Sequence, residues 1–360
     1  MTLDKKKVLF IFDSGRRVGY GHQARCERLA HNLQAKGIKA ACLGDIEFES
    51  RYITEKTNIN WQKEGEWKAI LKTILRQGYH ALIIDIRNLM HTKDKILEII
   101  KYCSENSKEA LRVVIDELNC KSIYGQQSAH AFAASPHILI LPYFNNIAYK
   151  YKVNENCTIL SGSQYALIDS EFEEMKEKKI ASYPSERNSN LLIAFGRSDA
   201  GKEVANRIIK TLEQIDLRIE KIYATLGEEK TYEVKNSKYD INFVGFNNNM
   251  PSLLKDIDIA IAGSGTIRYE TCCSGIPTLC FSQFKEHTKD LKEFAGAGLC
   301  KYGGEVFRMS NMELANTITQ FANNEDKLRG LSLMCLRSKY TSGNGVKLIG
   351  RIIAKRLMRR

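Results

Sequence analysis

Three short segments carry residue types and spacings that can do chemistry. In Gly19-Tyr20-Gly21-His22-Gln23-Ala24-Arg25 an imidazole and a guanidinium stand one helical turn apart, just beyond glycines whose backbone can lie against a ligand. A neutral imidazole near pH 7 can take a proton from water or a hydroxyl. A guanidinium beside unpaired helix-terminal N–H groups suits an anion. The second segment is Gly263-Ser264-Gly265-Thr266-Ile267-Arg268-Tyr269-Glu270. Its small residues let the backbone approach a phosphate, Thr266 adds a hydroxyl, and Glu270 lies one turn on, where it could accept hydrogen bonds from ribose. The plain alternative is a glycine turn with Glu270 solvated. The third segment is Gly196-Arg197-Ser198-Asp199. Arg197 there could pair with a diphosphate, and Ser198 could join it or merely cap the following helix.

Each segment needs elements to position it. Val8 to Phe12 reads as a buried strand, and the helix after it opens at His22 with Cys26, Leu29, Ala30 and Leu33 at helical spacing. Further strands are expected at Ala40 to Leu43, Ala81 to Ile84, Arg112 to Ile115, Ile138 to Leu141 and Thr158 to Leu160, with helices at Glu66 to Arg76 and Lys93 to Cys103 between them. Alternation of continuous apolar strands with helices indicates a parallel sheet covered on both faces. Three strands end in an acid, at Asp13, Asp85 and Asp116. The polar stretch Met175 to Asn190 reads as a linker, after which the alternation restarts. Strands are expected at Asn190 to Phe195, Lys221 to Ala224, Ile241 to Val244, Ile257 to Ala262 and Thr278 to Phe281, with a helix at Lys202 to Leu212. His287 is the one other histidine placed after a strand's carboxyl end.

Composition narrows the class. The 360 residues suffice for two domains, and 43% hydrophobic with 27% charged residues excludes disorder. The ten cysteines are scattered and form no C-x-x-C pair, which fits buried thiols in a reduced compartment. Lys5, Lys6 and Lys7 precede only five apolar residues before Asp13, too few for an export segment, so a cytoplasmic protein is expected. A net charge of +12 favours anionic company such as phosphate substrates, anionic lipid or nucleic acid. No nucleic-acid module is recognisable, and none is expected as a partner. A rival reading of the first segment takes Gly19-x-Gly21-x-x-Ala24, with Asp45 beyond it, as a dinucleotide fingerprint. Against it, six residues separate Phe12 from Gly19, where that fingerprint needs its first glycine directly after the strand.

Taken in order, these segments resemble the PseG/SpsG family, whose best-known members are UDP-sugar hydrolases of pseudaminic acid biosynthesis. The resemblance spans nearly the whole chain. It rests on Gly19-x-Gly21-His22-x-x-Arg25, Gly162-Ser163-Gln164-Tyr165-Ala166-Leu167-Ile168 with Glu171-Phe172, Phe195-Gly196-Arg197-Ser198-Asp199, Asp258 to Ile261 with Gly265 to Glu270, Gly275-Ile276-Pro277 and Gly343-Asn344-Gly345. It implies an α/β chain of GT-B type, with two Rossmann-like doubly wound domains facing a central cleft. The domains would be 1-178 on the sugar side and 190-340 on the nucleotide side, with a helix at 341-360 packing back across them. His22 would be the base that activates water at the anomeric carbon, without metal or cofactor. Gly19, Gly21, Arg25, Asp85, Arg87, Tyr165 and His287 would line the sugar, and Arg197, Ser198, Gly265, Thr266 and Glu270 would hold uridine diphosphate.

The departures keep a second reaction open. Asp85-Ile86-Arg87 stands where the family has Asp-x-Tyr, and Glu286-His287-Thr288 where it has Glu-Asn-Gln, both at positions expected to face the sugar. The implied reaction is hydrolysis of a UDP-sugar by a monomeric enzyme, feeding a surface-glycan or flagellin pathway. The alternatives are a glycosyltransferase using the same donor and a noncatalytic binding module. In the tail, Val346, Ile349, Ile353 and Leu357 form an apolar stripe among basic residues. That stripe could rest weakly on an anionic membrane or serve as packing surface.

Overall fold

The run Val8–Phe12 forms β1 (Lys7–Phe12), buried at every position after Lys7. In a computed structural model of the chain, residues 3–16, 18–47, 49–50, 52–61, 63–86, 93–116, 123–124, 135–144, 151–181, 190–226, 237–245 and 249–360 are described. β1 is joined by β2 (Lys39–Gly44), β3 (Glu55–Asn58), β4 (Ala81–Asp85), β5 (Leu111–Ile115), β6 (Ile138–Leu141) and β7 (Thr158–Ser161). They form one parallel sheet in the order β3-β2-β1-β4-β5-β6-β7.

Alternation along β1 sorts its side chains onto two faces. Val8, Phe10 and Phe12 share a core with Cys26, Leu29, Ala30 and Leu33 of α1 (Gly21–Gln34) and with Val346, Ile349, Ile353 and Leu357 of the C-terminal helix α11 (Gly345–Met358). Leu9 and Ile11 share the other with Trp67, Leu71 and Leu75 of α2 (Glu64–Leu75) and Ile96, Ile99 and Ile100 of α3 (Lys93–Asn106). The apolar stripe of the tail is therefore spent on the sheet and is not available to a bilayer.

The second sheet contains β8 (Asn190–Ala194), β9 (Lys221–Ala224), β10 (Asp240–Phe243), β11 (Ile259–Ala262), β12 (Thr278–Ser282) and β13 (Lys301–Glu305), all parallel in the order β10-β9-β8-β11-β12-β13. Its helices are α4 (Glu171–Ala181), α5 (Asp199–Leu212), α6 (Met250–Leu253), α7 (Ile267–Cys273), α8 (Lys285–Gly296), α9 (Asn311–Ala322) and α10 (Glu325–Arg337).

The chain divides into one unit of Met1–Leu167 with Gly345–Arg360 and a second of Ile168–Asn344. The expected linker is displaced: its first residues belong to α4, and 182–189 lie outside the described residues. α4 buries Phe172 and Met175, a stripe too short to stand out among its lysines and glutamates. Lys176 ties it to the second unit by donating to the carbonyls of Ser338 and Thr341, both at 2.6 Å. The Gly343-Asn344-Gly345 motif has a packing role. Gly343 has φ +75°, and a Cβ there would lie 2.5 Å from the Glu173 nitrogen, while one at Gly345 would lie 2.2 Å from the Ala166 oxygen. No helix among the described residues is long and apolar enough to cross a membrane.

Candidate active site

In each sheet the strand order reverses direction once, between β1 and β4 and between β8 and β11. Ligands of open α/β sheets bind beyond the carboxyl ends of the strands at such a point. Both points carry residues singled out by their spacing.

At the first, β1 runs into Asp13, which is buried. One of its carboxylate oxygens accepts the Asp45 backbone N–H at 3.0 Å and the Trp61 indole N–H at 2.9 Å. Ser14 donates through its hydroxyl to Gln23 Oε1 at 2.7 Å, and Gln23 Nε2 donates to Glu27 at 2.7 Å. Gly15 and Gly19 exchange backbone hydrogen bonds at 3.3 and 2.7 Å, closing the loop that delivers the chain to α1. Gly21 is the first residue of α1, and the Tyr20 side chain preceding it makes no capping bond. This loop is not a dinucleotide turn. Polar ties from Asp13 and Ser14 to Asp45 occupy the place where that turn needs a glycine.

His22 points its Nδ1 at Asp85 Oδ1, 2.7 Å away. The pairing of β1 with β4 sets Asp85 opposite Phe12, which brings the carboxylate under the first turn of α1. Arg25 grips the same carboxylate with both arms, Nε to Oδ2 at 3.0 Å and Nη2 to Oδ1 at 2.7 Å, and its Nη1 donates to the Tyr143 hydroxyl at 3.2 Å. Burial by itself would raise the Asp85 pKa, but the Arg25 charge, then His22 and the hydrogen bonds from both, outweigh it and hold the group below its ordinary value. Against an ionised carboxylate Nδ1 is the protonated nitrogen and Nε2 keeps its lone pair. The 3.0 Å approach of Arg25 Nη2 to His22 Nδ1 then brings together two donors that share Oδ1.

This geometry gives three of the residues expected on the sugar side partners within the first unit. Asp85 is 1% and Arg25 7% exposed, and they are engaged with each other and with His22. Both lie against Nδ1 of the His22 ring. Tyr165, half-buried, packs on the core shared by β1, α1 and α11. Arg87 lies outside the described residues. Tyr143, just past β6, is the site residue that the spacing left unseen.

At the second reversal, β8 leads through Phe195 to Gly196, whose φ of +78° turns the chain into α5. Ser198 is the N-cap of α5, its hydroxyl accepting the Gly201 N–H at 3.3 Å, so the capping reading accounts for it. A Cβ at Gly201 would sit 2.5 Å from the Gly196 carbonyl oxygen, so this glycine lets α5 press onto the strand. Gly196 and Gly201 thus serve the first and last glycine roles of the dinucleotide-type turn, here in the second unit. Arg197 donates to the Gly245 carbonyl. β11 runs into Gly263, whose N–H donates to the Ala194 carbonyl at 2.9 Å, and Ser264 Oγ and His287 Nδ1 are 2.8 Å apart. His287 therefore joins the Gly263–Thr266 loop. A methyl group placed on Gly265 would meet no atom within 4 Å, so the backbone there is open. Thr266 precedes α7 with its hydroxyl making no capping bond, and Glu270 is buried one turn on. The neighbouring Arg268 pairs with Asp290 and donates to the Tyr269 hydroxyl at 2.7 Å, anchoring α7 on α8. Among the described residues no cluster of three or more His, Cys, Asp or Glu is placed to hold a metal ion.

No protein-family model matches the chain. It is 24% identical over 294 residues to the spore coat polysaccharide biosynthesis protein SpsG of Bacillus subtilis, covering 79% of this chain and 80% of that protein. Among solved structures it is similar to MurG of Acinetobacter baumannii, with a TM-score of 0.60 and 14% identity over 97% of this chain and 99% of that one. It is also similar to the UDP-GlcNAc 2-epimerase of Neisseria meningitidis, solved bound to UDP-GlcNAc, with a TM-score of 0.59 and 14% identity over 97% of this chain and 100% of that one. Two parallel Rossmann-like sheets and these likenesses give the chain the GT-B fold, and in sequence it is similar to SpsG.

Proposed function

We propose that the chain is a nucleotide-sugar hydrolase that releases UDP and a free modified sugar. The observation that carries this reading is the hydrogen bond from His22 Nδ1 to Asp85, which leaves Nε2 as a base. Water would lose a proton to Nε2 as its oxygen bonds to the anomeric carbon, and the bond from that carbon to the diphosphate oxygen would break. A nucleoside diphosphate is a good leaving group, so one positioned base and a pocket of N–H and cationic donors suffice. Arg197, Gly265, Thr266 and Glu270 of the second unit are the groups proposed to hold that diphosphate and its ribose, and Ser198 and His287 stand beside them.

The relatives support a nucleotide sugar as substrate: SpsG is named for polysaccharide biosynthesis, and the similar epimerase was solved with UDP-GlcNAc. A second reading, glycosyl transfer, is favoured by the likeness to MurG and to the forosaminyltransferase SpnP. In it Nε2 deprotonates an acceptor hydroxyl in place of water. The test is to supply a panel of UDP-amino sugars without acceptor and measure free UDP. Release by the parent protein, its loss in His22→Leu and an unchanged rate with chelator are the expected results. Release only when an acceptor is added would exclude hydrolysis and establish transfer, and tight binding without turnover in either case would leave a binding module.

A further inference from the structure

The first sheet has a second edge, formed by the amino ends of its strands, and its residues form a pattern the catalytic reading does not use. Across five adjacent strands the first, second or preceding residue is basic or an imidazole: Lys39 at β2, Lys7 at β1, His80 before β4, Arg112 in β5 and His137 before β6. Register makes them neighbours. Lys7 lies opposite Lys39, the Lys7 N–H donates to His80 Nδ1 at 3.2 Å, and the Arg112 N–H donates to His137 Nδ1 at 2.9 Å. Each imidazole therefore accepts through Nδ1 and carries its proton on Nε2 as a donor. The end of α11 adds to the same rim, with Arg356 donating to the Thr158 hydroxyl at the start of β7 at 2.8 Å and Arg360 to the Glu109 carbonyl at 2.8 Å.

These charges crowd one another. Burial lowers the His80 pKa, and Lys6 and Lys7 lower it further. Burial and then Arg112, Arg360 and Arg356 push His137 down to about 4. Among the described residues, the first unit's ion pairs are at Asp85 and along α2 and α3. α11 and the two residues after it contain no acidic residue. Arg112 Nε is buried without a hydrogen-bond partner among the described residues. Cations in the last turn of α11 suit the helix dipole, but that does not account for lysines and an arginine at strand starts.

We propose that this rim docks the protein on an anionic lipid surface. Five strand starts at about 4.8 Å spacing span about 19 Å. That is too broad for one phosphate and matched to a row of headgroups. A lipid leaflet is favoured over nucleic acid because the rim residues named above include no Phe, Tyr or Trp to serve as a stacking platform, and Nδ1 of both imidazoles is tied to backbone N–H groups. Met358, 49% exposed at the same end of α11, adds an apolar side chain that an interface can bury.

The test is flotation of the full chain with vesicles of phosphatidylcholine alone and of phosphatidylcholine mixed with phosphatidylglycerol. Binding only to the anionic vesicles is expected, and it should vanish when salt is raised from about 0.1 M to about 1 M. The combined variant Lys7→Gln, Lys39→Gln, Arg356→Gln and Arg360→Gln should bind about fivefold more weakly per removed charge. Its UDP release should be unchanged, since all four side chains are exposed and lie apart from His22. Binding to neither vesicle, binding that survives high salt, or a folded variant that binds like the parent would each overturn the proposal. Capture of a duplex RNA with no vesicle binding would overturn it in favour of a nucleic-acid partner. The salt series on the parent protein decides the matter even where the fourfold variant does not fold.

Discussion

His22 Nδ1 and Asp85 Oδ1 lie 2.7 Å apart across 63 residues of chain, and the contact is made by the pairing of β1 with β4. Because the carboxylate accepts, it selects the tautomer of the ring. Asp85→Asn keeps the shape and removes the charge, and its amide can donate to Nδ1, which moves the ring proton to Nε2. The expected result is a fall in kcat of about 10⁴-fold, the size seen when a triad carboxylate is replaced this way, with UDP affinity unchanged. Steady-state kinetics beside a UDP titration checks it. An equal loss of UDP binding would show that Asp85 serves the fold and not the base.

Arg25 and Asp85 are both nearly inaccessible to water, at 7% and 1% exposure. Removing one partner of such a pair strands the other, at a cost of about 3–5 kcal/mol. Arg25→Met is expected to lower stability by that amount in urea melts. Arg25→Lys should recover little of it, since a single ammonium cannot reproduce the two-armed grip on Oδ1 and Oδ2. Tyr143→Phe removes one hydrogen bond to the same guanidinium and should cost about 1 kcal/mol.

The pH dependence of stability follows from the same carboxylate. The folded Asp85 pKa lies below its ordinary value because Arg25 and His22 outweigh the effect of burial. Its contribution is therefore fully present above the unfolded-state pKa of about 3.9 and is lost as pH falls from there through the lower, folded value. Melting temperatures of the parent should decline below about pH 4 more steeply than those of Asp85→Asn, which lacks this titration. Parallel acid limbs in the two proteins would contradict it.

Central strands such as Val8–Phe12, Ala81–Asp85 and Ile138–Leu141 were legible because burial on both faces makes them unbroken apolar runs. β3 (EKTN) and β13 (KYGGE) were not. Each closes an edge of its sheet, where exposure permits polar side chains and erases the pattern. His22 and Arg25 could be read from helical spacing, since one turn brings them together whatever the rest of the chain does. The role of Asp85 could not. That Asp13, Asp85 and Asp116 all end strands was visible, but only register decides which acid lies under α1. Tyr143 meets Arg25 across 118 residues and left no local signal. The glycine fingerprint shows the same limit, because Gly19 and Gly21 match its letters, too far from Phe12 to form the turn, while Gly196 and Gly201 match its geometry.

Gly201 tests that last point. A methyl group there would lie 2.5 Å from the Gly196 carbonyl and 2.6 Å from the Phe195 carbonyl, and both are backbone atoms that cannot turn aside. Gly201→Ala must therefore push α5 away from β8 and disturb the Gly196–Ser198 turn, at a cost of about 1–3 kcal/mol. If that turn helps hold the diphosphate, UDP affinity falls in the variant at temperatures where it remains folded. The Asp85-dependent acid limb, which belongs to the first unit, should stay in place. Calorimetric titration with UDP, run beside the pH series of melts, separates the two effects. A variant that loses stability yet binds UDP as the parent does would remove Arg197 and its turn from the nucleotide site and leave the Gly263–Glu270 segment to hold the diphosphate alone.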